Sequence, residues 1–211
     1  MMLLPRVYPI LDTGLLARYG IAPVAAAEAV LNAGAQILQL RHKAFFSRAD
    51  YDVAQLIADR CRKVGALFVI NDRADIALLL GAALHLGQED LPPAAARELS
   101  KTMLIGFSTH NEHQLVVGDS EPVDYLAIGP IFATGSKENP DPVVGVDALK
   151  RLRRLTKKPL VAIGGITRTR AMSVWQAGAD SIAVIGDLLP DMAGATSEWL
   201  KLAREAPIGK C

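Results

Sequence analysis

The sequence predicts an α/β fold, a single-domain (β/α)8 barrel spanning residues 1–211. Three observations predict it. Eight short apolar runs alternate with helical segments, and no linker or charge run divides them. Such alternation implies right-handed βαβ units and a parallel sheet, and about 200 residues is the lower size limit for eight closed units. Second, the apolar runs break off abruptly into polar or glycine-rich residues. Strands buried on both faces read this way when their carboxyl ends open on a ligand site. Third, Ala33-Gly34-Ala35 and Ala177-Gly178-Ala179 both lead into a strand, and Gly81-Ala82-Ala83 nearly repeats the pattern. Gly can take the left-handed helix cap there, and small Ala residues let the chain enter the sheet closely. A doubly wound open sheet is the alternative, but it usually carries a Gly-rich fingerprint after its first strand, and none is present.

Each element follows in order. Residues 7–11 form the first strand, with Asp12 at its end, although Pro9 is unusual inside a strand. Residues 24–33 are Ala-rich and helical, stopping at Gly34. Residues 37–40 are a strand ending in Arg41-His42-Lys43. Residues 50–64 are an amphipathic helix with Val53, Leu56, Ile57 and Cys61 on one face. Residues 67–70 are a strand ending in Asn71-Asp72-Arg73, and a short helix covers residues 74–80. Residues 84–86 are a strand ending in Gly87-Gln88-Glu89-Asp90, after which Pro92 and Pro93 can begin a helix. Residues 103–107 lead to Ser108-Thr109-His110-Asn111, and residues 125–128 lead to Gly129-Pro130. A long polar loop runs to about Val143 and reads as a lid; a helix over 145–155 follows. Residues 160–163 end in Gly164-Gly165, a helix covers 171–177, and residues 181–184 end in Ile185-Gly186-Asp187. The last helix covers 197–206.

Composition excludes several function classes. Apolar residues make up 51%, which places the chain among globular proteins. The net charge of +1 argues against a general nucleic-acid or membrane surface while permitting a local basic pocket. Cys61 and Cys211 have no metal-like spacing, which suggests a reducing compartment and no disulfide framework. The stretch before Arg6 is too short for a secretory signal, and no apolar run is long enough to cross a bilayer. The expectation is a cytoplasmic protein with small-molecule partners, no nucleic acid and no membrane; a homo-oligomer is left open.

The strand ends carry the chemistry, because a barrel's active site lies at that face. Alternation puts Gln39, Arg41 and Lys43 on one side, with Leu40 and His42 on the other. Two cations and an amide suit an anionic ligand such as a diphosphate. Asp72 and Asp90 end neighbouring strands and suit Mg²⁺, a hard ion that takes one or two carboxylates plus phosphate oxygens. Glu89 rivals Asp90, and either acid could instead cap a helix. Gly164-Gly165 and Ile185-Gly186 follow the last two strands, whose loops frequently build a phosphate site from backbone N–H groups. Thr134 and Ser136 supply hydroxyls on the long loop, and Lys137 supplies charge. His85 lies within a strand and His110 near the mouth, and none of the four histidines forms a triad with Ser or Cys.

Taken in order, Gln39-Leu40-Arg41-His42-Lys43, Asn71-Asp72-Arg73, His85-Leu86-Gly87-Gln88-Glu89-Asp90, Ser108-Thr109-His110-Asn111, Gly129-Pro130-Ile131-Phe132 and Ala162-Ile163-Gly164-Gly165-Ile166 resemble the motifs of the thiamine phosphate synthase family. The resemblance covers about residues 8–188. It implies a (β/α)8 barrel that joins hydroxymethylpyrimidine diphosphate to thiazole phosphate, with Mg²⁺, releasing pyrophosphate. It implies that Gln39, Leu40, Arg41, His42, Lys43, Asn71, Ser108 and Lys137 hold the pyrimidine diphosphate. Of these, Arg41, Lys43, Ser108 and Lys137 would be catalytic. Asp72 and Asp90 would hold Mg²⁺; Thr134, Gly135, Ser136, Gly165, Ile185 and Gly186 would hold the thiazole phosphate. The chain departs from the family at His42, where Glu is frequent, at Ser136, where Thr is common, and at Gly186, where Ser often stands. The implied mechanism is dissociative, with a carbocation on the pyrimidine methylene attacked by the thiazole nitrogen. A thiazole tautomerase-like relative and a non-catalytic barrel that binds a phosphometabolite are the rival readings.

Overall fold

The structure, a computed structural model, describes residues 4–135 and 141–207. Eight strands close into a barrel in chain order, each parallel to its neighbours. They are β1 (Val7–Asp12), β2 (Ile37–Arg41), β3 (Leu67–Asn71), β4 (Ala83–Leu86), β5 (Ile105–Thr109), β6 (Tyr125–Ile128), β7 (Leu160–Ile163) and β8 (Ser181–Val184). The helices are α1 (Thr13–Arg18), α2 (Pro23–Asn32), α3 (Arg48–Val64), α4 (Ala74–Leu80), α5 (Pro93–Leu99), α6 (Glu112–Ser120), α7 (Val146–Leu152), α8 (Ala171–Gln176) and α9 (Met192–Glu205). Pro9 keeps its place inside β1, opposite Val184.

The differences from the sequence reading lie at element ends and have local causes. Two helices were not anticipated, and a side chain caps each: Asp12 accepts from Leu15 N at the start of α1, and Asn111 accepts from Gln114 N at the start of α6. Helix α3 starts at Arg48 rather than 50, because Ser47 and Asp50 form a reciprocal capping box. Helix α9 starts at Met192 rather than 197, with Asp191 as its cap. Strand β5 lies two residues later than the apolar run 103–107. Asp124 Oδ2 takes the Ile105 N–H at 2.8 Å, and Thr109 Oγ1 donates to the Ala127 carbonyl at 2.8 Å, so pairing runs through Thr109.

Alternation along the strands builds two cores. Leu11, Leu38, Leu40, Ile70, Leu84, Leu86, Ile105 and Leu126 face outward and pack beneath the helices. Tyr8, Ile10, Ile37, Val69, Ala83, Tyr125, Ala127, Val161 and Ala183 face inward and fill the barrel. Two phenols fit in this narrow interior because their neighbours are small. At Gly106, an added Cβ would lie 2.0 Å from the Tyr125 ring. The interior is filled only as far as Tyr8 and Tyr125. Beyond them toward the carboxyl ends, the inward positions become Gln39, Arg41, Asn71, His85 and Ser108, and the barrel opens.

Candidate active site

The opening is a cavity of about 1200 Å³ at the carboxyl ends of the strands. Strand β2 places Gln39 and Arg41 in its wall, with Lys43 just beyond. Arg41 donates to Asp12 at the end of the neighbouring β1, and Lys43 Nζ lies 2.5 Å from Asp72 Oδ2. The expected division of the motif holds: Leu40 and His42 do not line the cavity. Leu40 is buried in the outer core. The His42 ring bonds to Thr13 Oγ1 at 2.9 Å and to the Phe45 carbonyl at 3.2 Å. The resemblance puts both beside the pyrimidine diphosphate, but alternation turns their side chains away from the cavity.

At the end of β3, Asn71 is buried, and its Nδ2 has no hydrogen-bond partner among the described residues. A buried amide donor without a partner costs roughly 1–3 kcal/mol, so it marks a place where a ligand acceptor belongs. Asp72 follows with φ 64°, alone among the described non-glycine residues in having a positive φ. An L-residue in that region costs about 1–2 kcal/mol, and such strain concentrates at ligand sites. Asp72 is not the helix cap that the sequence left open. The N-cap of α4 is Arg73, and it makes no side-chain cap bond. The strained backbone turns the Asp72 carboxylate into the cavity instead.

Asp90 meets it from the loop after β4. Its Oδ2 accepts the Gly87 N–H at 2.7 Å, and its carboxyl hydrogen-bonds to that of Asp72. Burial pushes the Asp72 pKa up to about 6, and Asp90 adds to the rise against the pull of Lys43. Asp90 is held below the usual carboxylate range: burial raises it, but the hydrogen bonds from Asp72 and the Gly87 amide prevail. A cation at the pair would relieve the repulsion that helps raise Asp72. Glu89 also lines the cavity but is exposed and makes no such contact, so Asp90 is the acid that stands with Asp72.

On the opposite wall, an added Cβ at Gly165 (φ 63°) would fall 2.4 Å from the Ala133 carbonyl oxygen and 2.7 Å from that of Phe132. Only Gly lets the loop after β6 close down over the turn after β7. That contact brings Thr134 and Gly135 to the cavity beside Gly165, Ile185 and Gly186. Ser136 and Lys137 lie outside the described residues. Ser108 lines the floor, its Oγ 2.8 Å from His85 Nε2.

Sequence reasoning missed three contributors. Arg170 reaches the cavity with Cζ 4.8 Å over the Phe132 ring and makes no ion pair with any described carboxylate. The basic Arg168-Thr169-Arg170 stretch after the Gly-Gly turn was the available signal, but spacing alone does not tell which arginine faces inward. Arg168 instead pairs with Asp187 at 3.0 Å and with Glu198. His110 lines the cavity while bonding the Gly129 carbonyl at 2.7 Å. His85, which the sequence places only within a strand, is both core and floor.

Comparison with known proteins follows the same lines. The family profile described as thiamine monophosphate synthase matches residues 7–188. The chain belongs to this family. It is 47% identical over 206 residues to a thiamine-phosphate synthase of Koribacter versatilis, covering 94% of this chain and 96% of that protein. It is 40% identical to one from Methanospirillum hungatei, covering 87% and 91%. Among solved structures, a thiamine phosphate pyrophosphorylase from Pyrococcus furiosus superposes with a TM-score of 0.85 at 31% identity, over 95% of this chain and 96% of that one. The fold, the motif order and the family agree.

Proposed function

We propose that this chain joins hydroxymethylpyrimidine diphosphate to thiazole phosphate, forming thiamine phosphate and pyrophosphate. The observation that carries the reading is one cavity with two anion-binding walls. Arg41, Lys43 and the Asp72–Asp90 pair stand on the β2–β4 side; the Gly165 turn, Gly186 and Arg170 stand on the β7–β8 side. A thiazole tautomerase-like relative or a phosphometabolite sensor would need only the second wall.

The carboxylate pair fits Mg²⁺. Among the described residues no cluster of three metal-ligating side chains exists. Mg²⁺ characteristically takes one or two carboxylates and completes its shell with phosphate oxygens and water. Asp72 and Asp90 would hold it, and it would supply positive charge against the leaving pyrophosphate. The protein's own groups do the rest. Arg41 offers a planar fork and Lys43 a point charge to the diphosphate oxygens. Asn71 Nδ2 donates to whatever acceptor fills its empty direction. As the leaving group gathers charge, these fixed donors stabilise it without reorganising. The thiazole nitrogen attacks a cationic methylene, so a protein base is not required.

Cys61 is a buried thiol whose pKa burial pushes up to about 12, and no helix among the described residues is long and apolar enough to cross a membrane. A buried free thiol suits a reducing compartment. The test is pyrophosphate release with both substrates, with and without Mg²⁺. Equimolar thiamine phosphate and pyrophosphate that require both substrates and the metal are expected. Absence of release with all three present would overturn the reading.

A further inference from the structure

Five side chains at and beneath the cavity floor form one continuous chain of hydrogen bonds. Gln39 Nε2 lies 2.8 Å from Tyr8 OH, Tyr8 OH 2.9 Å from Tyr125 OH, Tyr125 OH 3.0 Å from His85 Nδ1, and His85 Nε2 2.8 Å from Ser108 Oγ. The His85 ring stacks on Tyr125 with centroids 5.6 Å apart. The five residues come from five different strands, β1, β2, β4, β5 and β6.

With the Gln39 amide oriented as it stands, the chain runs in one direction. Gln39 Nε2 is a donor, so Tyr8 OH accepts from it. Tyr8 and Tyr125 are fully buried, and each phenol proton must find an acceptor. The remaining neighbour of Tyr8 among the described residues is Tyr125 OH, so Tyr8 donates there. Tyr125 must then donate to His85 Nδ1. A neutral imidazole that accepts at Nδ1 carries its proton on Nε2, so His85 donates to Ser108 Oγ. The Ser108 proton is left over, and so is the Gln39 carboxamide oxygen, which accepts nothing among the described residues. Both residues line the cavity.

We propose that Tyr8, Tyr125 and His85 are positioning residues: a one-way relay that makes Gln39 present an acceptor and Ser108 a donor to the pyrimidine ring. The assignment rests on the proposed function for the identity of that ring. An aminopyrimidine carries the complementary pair, an amino donor beside a ring-nitrogen acceptor. Its 4-oxo counterpart reverses the pattern, with a carbonyl acceptor beside a ring N–H. Sites built on buried hydrogen-bonding groups reject a mismatched ligand strongly, because those groups are left unpaired. Tyr8 and Tyr125 therefore set specificity without touching the substrate.

Two measurements test it. In the ligand-free protein, ¹⁵N NMR of labelled histidine should show His85 as the neutral Nε2–H tautomer. The Nδ1–H tautomer would overturn the direction whatever the enzyme's reaction is. Calorimetric titration with hydroxymethylpyrimidine diphosphate and its 4-oxo counterpart should show the wild type preferring the amino form at least tenfold. Tyr8→Phe frees the carboxamide to turn over and should cut that preference severalfold. Tyr125→Phe breaks the relay at its middle and should do the same, which covers the case in which Tyr8→Phe does not fold. A merely structural role would weaken both ligands equally; an unchanged preference in the folded variants would overturn the relay. Pyrophosphate release by the wild type is scored separately. A wild type that prefers the amino ring yet releases no pyrophosphate would sink the proposed reaction and leave the relay standing.

Discussion

Lys43 Nζ sits 2.5 Å from the Asp72 carboxylate, which itself hydrogen-bonds to Asp90. The site thus holds two acids that repel each other and one cation as partial relief, which is what the proposed Mg²⁺ and diphosphate would meet. Removing either acid leaves diphosphate charge uncompensated. Asp72→Ala and Asp90→Ala should each lower turnover by about a hundredfold or more, a scale typical of losing electrostatic stabilisation in the transition state. The backbone adds a second expectation. Because Asp72 has φ 64°, Asp72→Gly should be more stable than Asp72→Ala by about 1 kcal/mol, while being equally inactive. Urea unfolding of the two variants checks the stability order, and near-normal turnover in any of the three would remove that acid from the metal site.

Gly165 makes a different prediction, since its problem is space rather than charge. A methyl group there collides with the Ala133 carbonyl oxygen, so the loop bearing Thr134 must move away. Gly165→Ala, and more so Gly165→Val, should weaken thiazole phosphate binding more than pyrimidine diphosphate binding. Separate titrations of the two ligands decide it; equal losses for both would point to a general folding defect.

Arg170 is the cation at the cavity mouth that has no acidic partner among the described residues, and it stands by the turn where the proposed function puts the thiazole phosphate. Gly186 offers backbone but no side-chain donor there. Charge-assisted hydrogen bonds contribute about 1.5–3 kcal/mol, so Arg170→Ala should raise the KM for thiazole phosphate by about tenfold. The KM for the pyrimidine substrate should hold steady. Arg170→Lys should recover part of the loss, because the charge returns without the fork. Equal KM changes for both substrates would contradict the placement.

The barrel and most of the β2–β4 side of the cavity were legible because each strand announces itself by an apolar run and then a polar break. Asn71-Asp72 after residues 67–70 is the plainest case, and two-residue alternation sorted Gln39, Arg41 and Lys43 from Leu40 and His42. Less legible were features that depend on partners distant in sequence. Helices α1 and α6 are short and weakly amphipathic, held by single capping side chains. Nothing local says that Tyr8 and Tyr125, 117 positions apart, share a hydrogen bond. The positive φ of Asp72 was also invisible, since Asp suits either a cap or a strained turn. His85 shows the same limit: its spacing says inward, but only the closed barrel shows that inward means both packing and cavity floor.

That double position of His85 has a consequence for stability against pH. The ring is buried, and burial pushes its pKa down to about 4 from 6.5; the positive charge of Lys43 acts in the same direction and the Asp90 carboxylate against it. Tyr125 and Ser108 face its two nitrogens. Above pH 6.5 the ring is neutral in folded and unfolded chains alike and makes no difference to stability. As the pH falls toward 4, the unfolded chain takes up a proton that the native ring refuses, so stability drops by up to about 1.4 kcal/mol per pH unit. The total approaches about 3 kcal/mol, and below pH 4 the loss levels off as the native ring protonates too. Carboxylates titrate in the same range, so the comparison must be with a variant that lacks only this ring. Urea unfolding of the wild type and His85→Gln at pH 7 and pH 4.5 should show the wild type losing more stability by about 2 kcal/mol. Parallel losses in the two proteins would mean that His85 titrates normally, and that the neutral ring required by the floor's hydrogen-bond chain is not held there by burial.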